Sequence, residues 1–254
     1  KGYWYPPGLV YDLAFKIMLR GVRRRVVRIV EREGLYPWLD VCSGTGDQLR
    51  VTLRAYASDD VCRDGCRHSP QVLAPHRKSD SYDRPRPSSG TDSNSAEMIA
   101  RDLAIGLDMH FSFVRYATAR APGVPFVCGD AARLPFKDGS SRAVSISFGL
   151  HDKSPEQREA IIREARRALA PDGKLIAVDF ENPWNAKSRI GALFVWAIER
   201  LAPREHYRNG REFLRLGGLR GFLGANGFAE VDRRDVETGS LAIVVARPGR
   251  GERS

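Results

Sequence analysis

The stretch that decides the fold is LDVCSGTGDQ, from Leu39 to Gln48. An apolar run, Trp38 to Cys42, leads into a short turn that contains Gly44 and Gly46, and a helix-like segment follows from Asp47 to about Ala57. Glycines in a turn between strand and helix let the backbone approach a ligand closely, and the helix N-terminus offers free N–H groups. The stretch therefore predicts a loop that binds a nucleotide-type cofactor.

The glycine loop alone does not choose the cofactor, because dehydrogenases use the same turn. In the GxGxxG pattern of dinucleotide-binding proteins, the third glycine permits close helix packing beside a pyrophosphate. Here Leu49 stands at that position. The substitution favours a ligand without a pyrophosphate.

Downstream of the loop, strand-like and helix-like segments alternate, which predicts an open α/β sheet built from right-handed crossovers. The helix from Pro155 to about Leu169 is expected to end in a Pro-Asp-Gly turn. Two final strands without an intervening helix predict an antiparallel hairpin at the sheet edge. The predicted strands are Ala104–Met109, Pro125–Ala131, Ala143–Gly149, Lys174–Pro183, Ala229–Asp232 and the SLAIVVARP segment.

The domain organisation follows from composition. Residues 9–33 have a helical period with an apolar side and a basic side, which is typical of either an ordinary surface helix or a membrane-surface element. Residues 58–95 are rich in Ser, Asp, Arg and Pro, and we interpret them as a disordered insert. Residues 184–214 are expected to cover the substrate, within a single domain that spans 1–254.

The second expected element is an acidic residue at the end of the second strand, where a carboxylate can accept both hydroxyls of a ribose. Asp59 and Asp60 lie near the usual spacing but follow no apolar strand. Asp108 does follow one, and removal of the insert would restore a normal gap. Asp108 is therefore the predicted ribose ligand, and the neighbouring Met109 is a predicted cofactor contact.

Two further strand ends carry candidate site residues. In CGDAARLPF, Asp130 and the Ala131 N–H could recognise an adenine, although Asp130 is equally typical of a helix cap or turn. In SISFGLHDK, Ser147 is expected to line the cofactor pocket, with His151 and Asp152 beyond it toward the substrate. The alternative interpretation of His151 is a solvated loop histidine.

The net charge and the apolar content limit which partners and which cellular location are expected. The net charge of +10 favours anionic partners such as nucleic acid, an anionic membrane or acidic substrates. No apolar run approaches the roughly 18 residues that span a bilayer, and the opening KGYWYPPG does not resemble a signal peptide, so a cytoplasmic protein is expected.

Cysteine spacing predicts neither a disulfide nor a metal site. Cys42 and Cys128 lie in strand-like runs and are expected to be buried free thiols. The spacing of Cys62, Cys66, His68 and His76 matches no common zinc finger.

Together, DVCSGTGD, GDAARLPF, SISFGL and GKLIAVDFENP resemble the class I methyltransferases, and more narrowly the UbiE-type C-methyltransferases of menaquinone and ubiquinone biosynthesis. The resemblance covers nearly the whole chain apart from the insert. It implies S-adenosylmethionine as the cofactor. It also implies contacts at Thr45, Asp108, Asp130, Ala131 and Ser147, with Asp40, Gly44 and Gly46 shaping the methionine end.

The resemblance also implies a hydrophobic acceptor, a ring carbon of a demethylated polyprenyl quinol, together with peripheral contact to an anionic membrane. The family usually continues SFGL with Arg-Asn, whereas this chain has His151 and Asp152. His151 is the predicted general base, because its ordinary pKa lies near neutrality, and Asp152, His206 and Tyr207 are weaker candidates.

Three other functions remain open. The acceptor could be another phenolic or lipid molecule, or it could be RNA, although no aromatic and basic nucleic-acid motif stands out. The chain could also bind the cofactor without turnover. The sequence carries no indication of the oligomeric state.

Overall fold

The computed structural model describes residues 8–57, 103–183, 189, 193, 200, 203–236 and 240–249. The predicted insert, 58–95, and most of 184–202 lie outside these ranges. So do the side chains of residues 8–18 and 53–57.

The described elements alternate between strands and helices over most of the chain, as predicted. The helices are α1 (Gly8–Glu33), α2 (Asp47–Ala57), α3 (Phe111–Arg120), α4 (Pro155–Ala168), α5 (Arg204–Arg215) and α6 (Gly218–Ala225). The strands are β1 (Trp38–Val41), β2 (Ala104–Asp108), β3 (Phe126–Cys128), β4 (Ser141–Ser147), β5 (Leu169–Phe180), β6 (Phe228–Val236) and β7 (Leu241–Pro248).

The strands form one seven-stranded sheet in the order β3-β2-β1-β4-β5-β7-β6. The first five strands pair in parallel, while β7 pairs antiparallel with both β5 and β6. This Rossmann-like arrangement confirms the predicted open α/β sheet with an antiparallel hairpin at its C-terminal end, in which β6 forms the edge.

Helices cover both faces of the sheet. Successive apolar side chains of the central strands point to opposite faces, so each face needs a helix layer to bury it. On β5, Leu175 belongs to the core beneath α4, α5 and α6, whereas Ile176 belongs to the core beneath α1 and α2. β7 alternates in the same way between Val244 and Val245. A sheet that is apolar on both faces needs a helix layer on each side.

Helix α1 packs its apolar side onto the sheet. Val26 and Val30 are fully buried there, and the backbone turns left-handed at Gly34 as the helix ends. Arg20, Arg24, Arg28 and Arg32 recur every four residues and are exposed, forming what we call the arginine stripe. The apolar side of residues 19–30 therefore serves the core, and the arginine stripe is the side that faces solvent.

Among the described helices, none combines the length and the apolar character needed to cross a bilayer.

Helix α4 is specified locally. Ser154 caps it, because its hydroxyl accepts from the Gln157 N–H while the Gln157 side chain accepts from the Ser154 N–H, and Pro155 occupies the first turn. Strand β5 begins at Leu169, directly after the helix, so the expected Pro-Asp-Gly segment lies within this strand. Leu169 pairs with Ser141 and Lys174 with Ala143, so β5 carries three more residues than β4 between these pairs, and the exposed Pro171 and Asp172 lie in that irregular stretch.

Strand β3 is shorter than predicted. It ends at Cys128, because Oδ1 of Asp130 accepts the N–H of Ala132 at 2.8 Å and this contact bends the chain into a turn. The expectation that Cys128 is buried is also wrong, since it is exposed at the end of this short strand, whereas Cys42 is half-buried. Both are free thiols.

Candidate active site

The parallel strands bring the predicted site residues to one edge of the sheet. Val41 pairs with Leu107 of β2 on one side and with Ile146 of β4 on the other. The next residue along each strand, Cys42, Asp108 and Ser147, therefore lies at the same edge of the sheet. Parallel strands place ligand sites at this carboxyl edge.

Asp108 joins the glycine loop to the second strand end. Its Oδ2 accepts the N–H of Gly44 at 2.8 Å, and its Oδ1 accepts the N–H of His110 at 2.9 Å. The side chain is buried, but each carboxylate oxygen has a second lone pair for a ligand hydroxyl. Asp59 and Asp60, the alternatives to Asp108, lie outside the described residues, and the role of Asp108 as ribose ligand stays a prediction.

A cleft opens between the glycine loop, the end of β4 and helix α1. Three α1 residues form one wall, which the sequence did not predict. Four of the predicted site residues line the cleft: Asp40, Gly44, Thr45 and Ser147. The full lining is Leu19, Val22, Arg23, Asp40, Cys42, Ser43, Gly44, Thr45, Asp47, Gln48, Ser147 and Phe148.

A buried polar network forms the floor of this cleft. Oδ1 of Asp40 accepts from the Ser145 hydroxyl at 2.5 Å and from the Gln48 amide at 2.8 Å. The Ser147 hydroxyl donates to Oε1 of Gln48 at 3.2 Å. Burial raises the pKa of the Asp40 carboxyl to about 7, against the partial compensation of these hydrogen bonds and of Arg23. Asp40 thus titrates near neutral pH within the cleft.

The raised pKa of Asp40 predicts a pH-dependent stability. Folded protein keeps this proton up to about pH 7, whereas an ordinary Asp loses it near 3.8. Because the folded state binds more protons in that window, the free energy of unfolding contributed by Asp40 is highest below pH 4 and falls as the pH rises through 7. In urea titrations, Asp40→Asn should gain up to about 4 kcal/mol relative to wild type between pH 4 and pH 8. Parallel curves for the two proteins would contradict the assignment.

Two non-glycine residues beside the cleft hold left-handed backbone. Cys42 (φ 59°) follows β1 and Phe148 (φ 57°) follows β4. Such conformations are costly and cluster at functional sites. Next to Cys42, the hydroxyl of Ser43 is buried and has no hydrogen-bond partner among the described residues. An unsatisfied donor and acceptor at the wall of a cleft suits a polar ligand.

The two glycines of the loop are required for different reasons. A Cβ at Gly46 (φ 70°) would lie 2.6 Å from the Phe126 ring and 2.7 Å from Cβ of Ala117, whereas a Cβ at Gly44 (φ 54°) would meet open space. We expect Gly46→Ala to lower the free energy of unfolding by about 2–4 kcal/mol, through overlap and strain together. Gly44→Ala is the matched control, and strain alone should cost about 1 kcal/mol. Equal losses in denaturant titrations would contradict the packing argument.

An ion-pair cluster fixes the N-terminus of α2. Asp47 accepts from Arg23 of α1 at 2.5 Å and also pairs with Arg50 one turn along its own helix. All three side chains are nearly buried. Helix α1 is therefore tied to the loop that lines the cleft.

The predicted adenine side is more open. Asp130 is exposed and engages Ala132, so the turn interpretation describes its contact in the structure. Ala131 is buried and Met109 is 53% exposed. All three lie at the ends of β2 and β3, beside Asp108, and their contact with an adenine stays a prediction.

His151 occupies a different environment from the solvated loop considered as an alternative. It is 5% exposed, and its Nδ1 lies 2.7 Å from Oδ1 of Asp179 at the end of β5. Its ring packs against Phe180 (centroids 4.3 Å apart) and His206 of α5 (5.2 Å). Phe180 in turn contacts Phe148, with centroids 6.4 Å apart. A row of rings thus leads from the cleft to His151.

Asp152 is held as a charged group. Burial opposes its ionisation, but Lys153, His151 and His206 outweigh it and lower the pKa of the carboxyl. Lys153 Nζ donates to it at 2.6 Å. The Asp152 carbonyl accepts from Asn209, which ties this loop to α5. Asp152 is therefore suited to stabilising positive charge beside His151.

The residues that the sequence analysis missed are Asp179, Gln48 and Arg23. Asp179 ends a strand at the same sheet edge as Asp108 and Ser147, so the rule that selected those two would have selected it. Gln48 and Arg23 carried no such signal, because their roles depend on partners in other elements.

Within the described ranges, no group of three or more His, Cys, Asp or Glu side chains could hold a metal ion. Cys62, Cys66, His68 and His76, the four residues considered as zinc ligands, lie outside those ranges.

Residues 88–177 match the family model described as a methyltransferase domain. A demethylmenaquinone methyltransferase of Beutenbergia cavernae is 39% identical over 95 residues, which are 37% of this chain and 39% of that protein. The enzyme of the same name from Mycobacterium bovis is 39% identical over 93 residues, 37% of this chain and 36% of that protein. The matched part thus spans less than two fifths of the length of these curated relatives.

Solved structures share the fold at low sequence identity. A SAM-dependent methyltransferase from Aquifex aeolicus has a TM-score of 0.54 at 14% identity, covering 96% of this chain and 98% of its own. The magnesium protoporphyrin IX methyltransferase of Synechocystis, solved with SAH, has a TM-score of 0.53 at 16% identity, covering 96% and 89%. Residues 88–177 therefore belong to the methyltransferase domain family, within a chain that has the fold of the class I methyltransferases.

Proposed function

We propose that this protein transfers a methyl group from S-adenosylmethionine to a small hydrophobic acceptor, a ring carbon of a polyprenyl hydroquinone. The observation that carries the proposal of methyl transfer is the contact between Asp108 and the Gly44 N–H. This contact holds the glycine loop against the end of β2, beside the cleft at the carboxyl edge of the sheet. The matched methyltransferase domain supports the same reaction. The acceptor is suggested by the names of the relatives.

The described residues fit such a cofactor. Asp108 retains lone pairs for two ribose hydroxyls, and the loop at Gly44 is open to a ligand. Asp40, whose Oδ1 alone is engaged by donors among the described residues, can face a cationic amino group. The buried Ser43 hydroxyl offers a further hydrogen bond. The sulfonium compound supplies an activated methyl group, so the protein's task is alignment and exclusion of water.

On the acceptor side, we assign His151 as the group that would accept a hydroxyl proton. Loss of that proton makes a phenolic ring electron-rich, which methylation at carbon requires. Asp152 supports the resulting imidazolium by its charge. The rings of Phe148 and Phe180 offer flat apolar surfaces between the cleft and His151.

Peripheral contact with an anionic membrane belongs to the same proposal, because a polyprenyl quinol resides in the bilayer. The arginine stripe is one described surface that suits anionic headgroups. We expect salt-sensitive sedimentation with liposomes that contain anionic lipid. Equal recovery in the supernatant with and without anionic lipid would exclude this contact.

The reaction is tested by incubating the purified protein with labelled S-adenosylmethionine and one acceptor at a time. The acceptors are 2-prenyl-1,4-naphthohydroquinone kept reduced, a simple phenol, and bulk RNA. Methylation at a ring carbon of the naphthohydroquinone is the expected result, with calorimetry reporting cofactor binding separately. Preferred methylation of the phenol or the RNA would replace the proposed acceptor. Binding without transfer to any of the three would favour a non-catalytic cofactor-binding protein.

A further inference from the structure

We propose that Asp179 is the positioning residue for His151, holding its imidazole as the tautomer with the proton on Nδ1 so that Nε2 is the basic nitrogen. The catalytic consequence of this assignment rests on the proposed function, whereas the tautomer itself does not.

Asp179 is a fixed acceptor. It is completely buried, and three backbone N–H groups donate to it. Oδ2 accepts from Leu150 at 3.1 Å and from His151 at 3.3 Å, while Oδ1 accepts from Phe180 at 2.8 Å. Donors of this kind fix both of its oxygens in space and make each of them an acceptor.

The fourth contact of Asp179 determines the tautomer. Nδ1 of His151 lies 2.7 Å from Oδ1, the same oxygen that accepts the Phe180 N–H. Nδ1 must therefore carry the hydrogen in this contact. In the neutral imidazole, Nε2 is then the acceptor nitrogen, and a proton from a substrate hydroxyl would go there.

Packing holds the His151 imidazole in the orientation that brings Nδ1 to Asp179. Phe180 lies against the imidazole at 4.3 Å, and the His206 ring meets it nearly edge-on, with an interplanar angle of 73°. Helix α5, which carries His206, is held by Arg158. This buried side chain pairs with Glu212 at 3.5 Å and lies over the Phe213 ring. A rotated imidazole would lose the Asp179 contact and these ring contacts together.

Nitrogen-15 NMR of protein labelled at its histidines tests the tautomer directly. The chain has five histidines, and comparison with His151→Gln assigns the signal of His151. Wild type should show His151 protonated on Nδ1 at pH 8, and Asp179→Asn should lose that preference. Asp152→Asn, which removes the other nearby carboxylate, should retain it. An Nε2-protonated His151 in wild type, or an unchanged signal in Asp179→Asn, would overturn the proposal.

Kinetics separate positioning from a purely structural role. We expect Asp179→Asn to lower kcat about 100-fold or more with 2-prenyl-1,4-naphthohydroquinone, while the KM for S-adenosylmethionine changes less than threefold. In a His151→Gln background, the same substitution should change kcat less than twofold, because a residue that acts through His151 has nothing left to position. Independent, multiplicative losses would show that Asp179 acts by holding the loop, and would overturn the proposal.

Two safeguards keep the experiment decisive. If Asp179→Asn does not fold, Asp179→Glu retains a carboxylate, and it should keep the Nδ1 proton with a smaller loss in kcat. If the wild-type protein methylates no acceptor, the proposed function fails, but the NMR result still decides the assignment of Asp179.

Discussion

His151→Ala is expected to lower kcat for methyl transfer by about 10²–10⁴-fold, the usual contribution of a positioned general base. Cofactor affinity should change less than threefold, because His151 does not line the cleft in which we propose that the methionine end binds. The acceptor's hydroxyl would then have to ionise in water before it binds. The loss should therefore be smaller at high pH, where more of the acceptor is already ionised. Stopped-time assays from pH 6.5 to 9.5, with calorimetry for the cofactor, measure both effects.

Tyr207→Phe and His206→Gln are the matched controls, because these side chains are the competing candidates for the base. Tyr207→Phe should leave kcat within about threefold of wild type. Normal turnover by His151→Ala would exclude His151 as the base. A greater loss in His206→Gln than in His151→Ala would transfer the assignment to the second imidazole of the pair.

Asp108→Ala is expected to raise the Kd for S-adenosylmethionine by about 100-fold or more. Each hydrogen bond to a charged group contributes roughly 1.5–3 kcal/mol, and the carboxylate would accept two ribose hydroxyls. The substitution also removes the acceptor for the Gly44 and His110 N–H groups, so the glycine loop loses its tie to β2. Calorimetric titration measures the affinity.

Asp130→Ala is the companion variant for this prediction. Asp130 is exposed and its contact is a local turn, so its removal should raise the Kd no more than about tenfold. A thermal melt of each variant separates loss of binding from loss of fold. Wild-type affinity in a folded Asp108→Ala protein would show that the ribose hydroxyls bind elsewhere.

Local sequence signals predicted most of the fold because they act within one element. The Ser154–Gln157 capping box defines the start of α4, and the uninterrupted apolar runs of β5 and β7 indicate strands that are buried on both faces. Asp108 was selected across a long insert because it follows an apolar strand. The length of β3 was missed, because it depends on a turn contact between Asp130 and Ala132.

The sequence predicted the position of the glycine loop and of Asp108 more readily than the surroundings of His151, for a physical reason. Gly44 and Gly46 hold left-handed backbone and Asp108 ends a strand, and the sequence pattern reveals both features. The burial of His151 depends instead on Asp179 from β5 and His206 from α5, which no spacing along the chain connects. Arg23 likewise reaches Asp47 from a helix more than twenty residues earlier. Such pairings arise only once the helices pack.

The direction of α2 has a practical consequence for protein engineering. The helix starts at the ligand edge with Asp47 and runs back for 11 residues, about 16 Å, to Ala57. Ala104 opens β2 in register with Trp38, the first residue of β1, at the opposite edge of the sheet. Both ends of the connection between α2 and β2 therefore lie away from the cleft. A fluorescent reporter domain spliced between them is expected to leave S-adenosylmethionine binding unchanged in a calorimetric titration.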